Sequence, residues 1–175
     1  MRIGRIRQVL PSFPESMQWK GFVAPLCAMS DEKIRETGLD LGIPCSVINA
    51  FPFPEAGLAV RIIGEVTREK VEILRRADTV FLEEISCANL KNQPGQCFAV
   101  LSDMKSVGVM GDFRTYDYAV ILRAVVTADF VTAKASELPW EVLFSATNRI
   151  VNEVNGINRV LYDCTGKPTA AIEWC

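Results

Sequence analysis

The stretch YAVILRAVVT, residues 118–127, decides the fold class of this chain because β-branched and aromatic side chains dominate it. Such residues pack well on a pleated surface, so the stretch predicts a buried or half-buried β-strand. A shorter apolar stretch, residues 97–101, follows a Pro-Gly pair and predicts a second strand. Two more short strands are expected near the end of the chain, at residues 159–162 and 170–174. We therefore predict a small β-sheet.

Three helices are predicted around these strands. Ser30, with acidic residues directly after it, is a capping signal for a short helix that stops before Gly42. A longer helix begins after Thr67, and its apolar residues recur every three or four positions, which predicts one core-facing stripe. That stripe contains Val71, Leu74, Ala77, Phe81 and Ile85. A third helix opens near Pro139 and ends at Gly156. Its inward-facing residues are predicted to be Val142, Leu143, Ala146, Ile150 and Val154.

Helices and strands in this order are typical of an α+β fold in which a small β-sheet is covered on one face by helices. The second face of the sheet is then left over. One interpretation is a self-association surface, since apolar patches larger than a few hundred Å² are seldom left exposed to water. The alternative is a face of alternating polar residues that meets solvent, and periodicity does not decide between the two.

The composition excludes several classes of function. The 175 residues include 19 basic and 21 acidic side chains, and this balance disfavours a nucleic-acid binder, which normally carries a basic excess. The chain has no histidine, which removes Ser-His-Asp and Cys-His nucleophiles and histidine-ligated zinc. Six cysteines occur without a C-x-x-C spacing, so we expect reduced thiols and no metal site. No apolar run has the length of a signal peptide or a membrane span, and we expect a cytoplasmic protein without membrane contact.

A glycine pair is the first candidate for ligand binding. Gly108 and Gly111 lie close to Lys105 and Arg114, and glycines let a backbone turn sharply or approach an anion closely. A hairpin or a bulge between strands is the other interpretation of this pair.

Two cations near the end of the chain are the second candidate. Arg159 and Lys167 lie at opposite ends of a strand-turn segment. They could converge on a phosphate, Arg159 through its planar guanidinium and Lys167 as a point charge. Solvated surface charges are the alternative, because most Lys and Arg side chains are exposed.

Five blocks of sequence carry a family resemblance. They are FPFPEAGLAVRIIGE at 51–65, KSVGVMGD at 105–112, NRIVNEVNG at 148–156, RVLYD at 159–163 and GKPTAAIEW at 166–174. Together they resemble the C-terminal domain of glutamine-hydrolysing GMP synthetase, from about residue 25 to the end of the chain. Residues 1–57 form an irregular and helical lead-in that resembles the end of an ATP pyrophosphatase domain, and residues 58–175 resemble the C-terminal domain itself. For residues 1–24 we recognise no resemblance in the sequence.

The resemblance implies a role in nucleotide synthesis. The complete family enzyme uses ATP and Mg²⁺ to activate XMP, and ammonia from a glutaminase domain converts the intermediate to GMP. By resemblance, this module forms a homodimer and supplies part of the XMP pocket, so its ligand is a purine mononucleotide. The residues matched by position to that pocket are Arg61, Gly108, Gly111, Arg159, Lys167, Ile172 and Glu173. Lys167 and Arg159 suit a 5'-monophosphate, while Glu173 can accept hydrogen bonds from hydroxyl or ring N–H groups.

The motifs of the family's two catalytic sites do not occur in this sequence. There is no Ser-Gly-Gly-x-Asp-Ser loop for the phosphates of ATP. Without histidine, there is also no Cys-His glutaminase site. We therefore expect no catalytic residue and no cofactor bound by this chain alone, with separate ATP pyrophosphatase and glutaminase chains as candidate partners.

The chain also departs from the family pattern where ligand contact is expected. The usual PFPGPG is PFPEAG at residues 52–57, so an acidic side chain replaces a glycine. The histidine before that loop is Phe51, an arginine is replaced by Lys105, and the final glutamate is Cys175. Three interpretations stay open: a subunit that works with a separate pyrophosphatase chain, a regulatory purine-nucleotide module without synthetase activity, and a dimerisation domain with a vestigial pocket.

Overall fold

The computed structural model describes residues 25–26, 28–48, 51, 53–54, 57–90, 94–127 and 131–174. The chain divides into two units, Met1–Ala50 and Phe51–Cys175. Residues 1–24 and the substituted positions Glu55, Ala56 and Cys175 lie outside the described residues.

In the first unit, the predicted short helix is confirmed as α1 (Asp31–Asp40). The Oγ of Ser30 accepts a hydrogen bond from the backbone N–H of Lys33 at 3.2 Å, which satisfies one of the unpaired donors at the helix start. A four-residue helix, α2 (Cys45–Ile48), follows after Gly42. The backbone of Gly42 has a φ of 75°, the left-handed conformation that commonly ends a helix.

The second unit contains a sheet and the helices that cover it. Its elements in chain order are a 3₁₀-helix (Leu58–Arg61), α3 (Arg68–Cys87), β1 (Gln96–Met110), β2 (Phe113–Val126), β3 (Lys134–Ala135), α4 (Trp140–Glu153) and β4 (Ile157–Tyr162). Strand β2 is central and pairs antiparallel with β1 along one edge. Along its other edge, β2 pairs parallel with β4 and antiparallel with β3. The predicted α+β class is confirmed.

Strands β1 and β2 form one long hairpin that closes in a two-residue turn at Gly111 and Asp112. Gly111 has a φ of 63°, the left-handed conformation that such turns require. The hairpin interpretation of the glycine pair is therefore confirmed. However, the strands extend well beyond the apolar stretches that predicted them, because the pairing resumes at Lys105 after an irregularity that follows Leu101. Residues 105–118, the outer half of this hairpin, are called the hairpin arm below.

Helices α3 and α4 cover one face of the sheet, as predicted. Of the stripe on α3, Leu74, Ala77, Phe81 and Ile85 are buried and Val71 is half-buried. Of the residues predicted to face inward near α4, Ala146, Ile150 and Val154 are buried, while Val142 and Leu143 are half-buried. Alternate residues of the hairpin complete this core, namely Cys97, Ala99, Leu101, Val120, Leu122 and Ala124. Helical periodicity therefore predicted the core-facing side of both helices.

The C-terminal part of the chain covers the inner half of the second sheet face. The expectation that this face is left uncovered is therefore wrong for the inner half. Its buried residues are Phe98, Val100, Ile121, Val125, Ala133 and Ile172. Residues 163–174, called the C-terminal segment below, cross this face in turns and bends, so the strand predicted at residues 170–174 is also wrong. The reason is a buried arginine on β2: Arg123 donates hydrogen bonds to the carbonyl groups of Ala171 and Ile172, which a neighbouring strand would otherwise bind.

Strand β1 has one edge that does not pair with β2, and other residues cover that edge near Ala99 and Leu101. The N–H of Ile63 donates to the carbonyl of Leu101 at 2.9 Å, and the N–H of Ala99 donates to the Asp78 carboxylate at 2.7 Å. These contacts satisfy backbone groups that would otherwise be available for pairing with another chain.

Cys45, Cys87, Cys97 and Cys164 are free thiols. Burial raises the pKa of the Cys97 thiol to about 12, so this side chain is an uncharged core group. In the described part of the chain, no helix has the length and the apolar character that a membrane crossing requires.

Candidate functional site

Lys167 borders a cavity of about 550 Å³ at the end of the sheet where β3 meets the C-terminal segment. The lining residues are Val126, Thr127, Thr132, Ala133, Lys134, Gly166, Lys167 and Pro168. Two lysines, Lys134 and Lys167, therefore share the wall of one space, which is called the Lys167 cavity below. A lysine ammonium offers three hydrogen-bond donors and a positive charge, so this wall is suited to an anion.

Two backbone hydrogen bonds fix Lys167 beside Ala133. The N–H of Lys167 donates to the carbonyl of Ala133 at 2.7 Å, and the N–H of Ala133 donates to the carbonyl of Lys167 at 2.9 Å. A Cβ on Gly166 would lie 3.1 Å from that same Ala133 carbonyl oxygen, so a residue without a side chain permits this close approach. The position of Lys167 is thus set by the backbone.

The sequence interpretation did not single out Lys134 and the threonines of this cavity. The hydroxyl of Thr127 donates to the carbonyl of Thr132 at 2.6 Å, which joins the two ends of the connection between β2 and β3. The sequence carried no distinct signal for them, because residues 127–134, TADFVTAK, mix polar and apolar side chains.

Arg61, Glu173 and Ile172, three of the predicted site residues, are brought together by the fold. Nε and Nη2 of Arg61 donate to the two carboxylate oxygens of Glu173 at 3.1 and 2.9 Å, and the side-chain amide of Gln96 donates to Oε1 at 2.9 Å. The guanidinium also lies 4.1 Å from the ring centre of Phe98. The side chain of Ile172 is buried in the apolar layer beside them. The side chain of Glu173 remains 24% exposed.

Arg123 was not singled out either, yet its side chain holds the C-terminal segment. It is fully buried and donates hydrogen bonds to the carbonyls of Thr165, Ala171 and Ile172 and to the carboxylate of Asp163. Burial by itself would raise the pKa of Asp163, but hydrogen bonds from Thr165 and the charge of Arg123 outweigh that effect and lower the pKa. The carboxylate is therefore the charged partner of this guanidinium.

Arg159 lies away from the Lys167 cavity. It is exposed on β4, where its Nε donates to Ser106 Oγ at 3.1 Å. Its backbone is paired with Ala119 of β2, whereas β3, next to the cavity, reaches Val126. These two positions are roughly 20 Å apart along β2, at a rise of about 3.3 Å per residue. Arg159 and Lys167, for which convergence on one phosphate was one of two interpretations, are therefore not brought together within one chain.

Gly108 and Gly111 also lie away from the cavity, on the hairpin arm. A Cβ on Gly108 would come within 2.6 Å of Thr115 Oγ1 and 2.8 Å of Asn158 Nδ2, so tight packing explains this glycine. Gly111 belongs to the turn. Both glycines therefore have structural reasons that do not involve a ligand.

The hairpin arm exposes apolar side chains. Val107, Val109, Phe113 and Tyr116 are 58%, 75%, 78% and 65% exposed. Val107, Val109 and Tyr116 share one face of the arm, because Val107 is paired with Tyr116, whereas Phe113 is paired with Met110 and lies on the other face. A group of apolar residues on one protruding element is typical of a surface that meets another protein.

Comparison with known proteins identifies the family. Residues 83–174, just over half of the chain, match the family model of the GMP synthase C terminal domain. The glutamine-hydrolyzing GMP synthase of Clostridium botulinum (strain Eklund 17B / Type B) is 55% identical over 161 residues, which are 92% of this chain and 31% of that protein. The enzymes of Acetivibrio thermocellus and Vibrio cholerae serotype O1 are 53% and 50% identical, again over 92% of this chain and over 32% and 31% of theirs. The chain thus spans about a third of the length of these relatives, and it belongs to the GMP synthase C-terminal domain family.

Proposed function

We propose that the chain acts in the ATP-dependent amination of XMP to GMP, as the module of a GMP synthase that dimerises and contributes to XMP binding. Family membership supports the reaction. The Lys167 cavity supports the binding role, because a residue matched to the nucleotide site borders an open space there. In this proposal Lys167 contacts the 5'-phosphate.

The charge and size of the Lys167 cavity carry the proposal. A phosphate monoester has a charge of about −1.5 to −2 at pH 7, and Lys134 and Lys167 supply two positive charges at one wall. The volume of about 550 Å³ is that of an ordinary small-molecule site. Because the backbone of Lys167 is already fixed, phosphate binding has to order the side chain of Lys167 and not the backbone that carries it.

The other residues matched to the nucleotide site contribute unequally in this proposal. Arg61 holds the partly exposed side chain of Glu173, and the carboxylate accepts a further hydrogen bond from a ligand hydroxyl or N–H group in this proposal. Ile172 supplies apolar packing beneath it. Arg159 and the two glycines of the arm stay predictions from the resemblance, since they lie elsewhere on the chain.

The adenylation step and the release of ammonia are proposed to belong to other parts of the enzyme or to separate ATP pyrophosphatase and glutaminase chains. The sequence has neither a Ser-Gly-Gly-x-Asp-Ser loop nor a histidine, so its residues do not fit ATP with Mg²⁺ or a glutaminase site. We derive no step through either site. The task of this chain's residues is to bind and orient the purine mononucleotide.

We also propose that the chain forms a homodimer through the hairpin arm and acts in the cytoplasm. The exposed apolar residues of the arm support self-association, because two copies would remove them from water. The free thiols agree with a reducing compartment.

Isothermal titration calorimetry of the whole chain with XMP, GMP and ATP tests the binding proposal. We expect saturable binding of the monophosphates and weaker binding of ATP. If neither monophosphate binds at millimolar concentration, the chain does not have the proposed role.

A further inference from the structure

Arg123 occupies an unusual place for a charged residue. It lies near the end of β2, between Leu122 and Ala124, which are buried against the helices on the other face of the sheet. On its own face it is flanked by the buried residues Ile121 and Val125. A buried guanidinium is strongly disfavoured unless hydrogen bonds and an opposite charge compensate it. Its partners therefore show what the residue does.

Four hydrogen bonds of Arg123 reach the C-terminal segment, and they do so at two separate places. Nη1 donates to the Asp163 carboxylate at 2.5 Å and to the Thr165 carbonyl at 3.0 Å. Nε donates to the Ile172 carbonyl at 2.7 Å, and Nη2 donates to the Ala171 carbonyl at 2.9 Å. One side chain thus binds both ends of residues 163–172.

Lys167 lies between those two ends. Arg123 therefore closes a loop, and the middle of that loop borders the Lys167 cavity. The two backbone hydrogen bonds between Lys167 and Ala133 hold the same loop at its middle. Asp163 also accepts hydrogen bonds from Trp174 Nε1 at 3.1 Å and from the backbone N–H of Thr165 at 2.8 Å. The loop is consequently fixed to one buried charge and its counter-ion.

We propose that Arg123 is a positioning residue: it does not contact the nucleotide, and it holds residues 163–172 in the conformation in which Lys167 can bind the phosphate. This inference rests on the proposed function of the Lys167 cavity. A guanidinium suits the task because its rigid planar fork can serve several carbonyl acceptors at once, which a lysine ammonium does less well. Without it, the Ile172 carbonyl and three part-buried acceptors lose their donor, and the loop is no longer closed.

The test compares Arg123→Met with Arg123→Lys in the whole chain, by amide hydrogen exchange and by calorimetric titration with XMP. In Arg123→Met we expect exchange in residues 163–172 to become at least about 10-fold faster, while α3 keeps its protection. The affinity for XMP should fall by about 10-fold or more, measured on the folded fraction. Arg123→Lys should restore part of both properties.

Asp163→Asn is the second variant, in case Arg123→Met does not fold. It keeps the guanidinium and its carbonyl acceptors and removes the counter-ion, so smaller changes in the same direction are expected. Unchanged XMP affinity in the folded variants, or unchanged exchange in residues 163–172, would overturn the role of Arg123. Absence of XMP binding to the unaltered chain would instead remove the proposed function, and the exchange data would still show whether Arg123 holds the loop.

Discussion

Arg61 and Glu173 lie 112 residues apart in the sequence and form a bidentate ion pair at 3.1 and 2.9 Å. The side chain of Arg61 is 3% exposed and that of Glu173 is 24% exposed. The pair joins the 3₁₀-helix near the start of the second unit to the C-terminal segment. Together with Arg123, it holds the last residues of the chain over the sheet face that the helices do not cover.

Replacing Arg61 by methionine should lower the free energy of unfolding by roughly 3 kcal/mol, because Glu173 then keeps a partly buried charge without its cation. Equilibrium unfolding in urea measures the change. The matched control is Arg75→Met, which breaks an exposed pair with Glu72 and should have an effect below about 1 kcal/mol. Equal effects of the two substitutions would show that the Arg61–Glu173 pair does not anchor the segment.

Asp78 should make stability depend on pH. Its pKa is raised above the ordinary value of 3.8, chiefly because burial disfavours the charged carboxylate. The folded protein therefore keeps this proton where the unfolded chain has lost it, and the contribution of Asp78 to stability declines as pH rises from 3.8 through the folded pKa.

Asp78→Asn tests this dependence, since asparagine still offers an acceptor to the N–H of Ala99. The variant should gain free energy of unfolding relative to the unaltered protein as the pH is raised from about 4 to about 7. Urea unfolding at both pH values gives the comparison. The same difference between the two proteins at both values would contradict a raised pKa for Asp78.

Gly108→Ala should destabilise the hairpin arm by about 1–3 kcal/mol, because the new Cβ meets Thr115 and Asn158 at less than 3 Å. Thermal or urea unfolding measures the loss. The double variant with Thr115→Ala removes the closest of these contacts and should recover part of the stability. If Gly108→Ala is as stable as the unaltered protein, the arm does not pack as described.

Val109→Lys should weaken the proposed homodimer, because it puts a charge on the exposed apolar surface of the hairpin arm. Size-exclusion chromatography with light scattering measures the mass in solution. Leu41→Lys is the matched control, since Leu41 has the same 75% exposure but belongs to the first unit. A dimer that survives Val109→Lys, or a monomer in the unaltered protein, would refute association through the arm.

The sequence predicted those parts of the fold that depend on local patterns. The stripe of Leu74, Ala77 and Phe81 follows from helical spacing, and Ser30 marks a helix start by its own side chain. The C-terminal segment could not be predicted in this way. Its conformation depends on Arg123, whose partners lie 40 to 49 residues further along the chain.

The candidate site, like the fold, was predicted only in part from the sequence. Lys167 was singled out as a cation beside a turn and again by resemblance, and the structure places it at a cavity. Arg159 was matched by position too, but sequence blocks do not give the separation of two residues along a sheet. Lys134 has the same appearance in sequence as any exposed lysine, and its place at the cavity follows from the pairing of β3 with β2.

Titration of Lys167→Ala with XMP, beside Lys33→Ala, tests the binding of a purine mononucleotide most directly. Lys33 lies on α1 in the first unit, where its ammonium pairs with Glu36 at 3.0 Å, and serves as the matched control. The loss of one charge-assisted contact of about 1.5–3 kcal/mol predicts that Lys167→Ala weakens binding by about 10- to 150-fold, while Lys33→Ala leaves it unchanged. Equal affinities of the Lys167→Ala variant and the unaltered chain would contradict the proposed site.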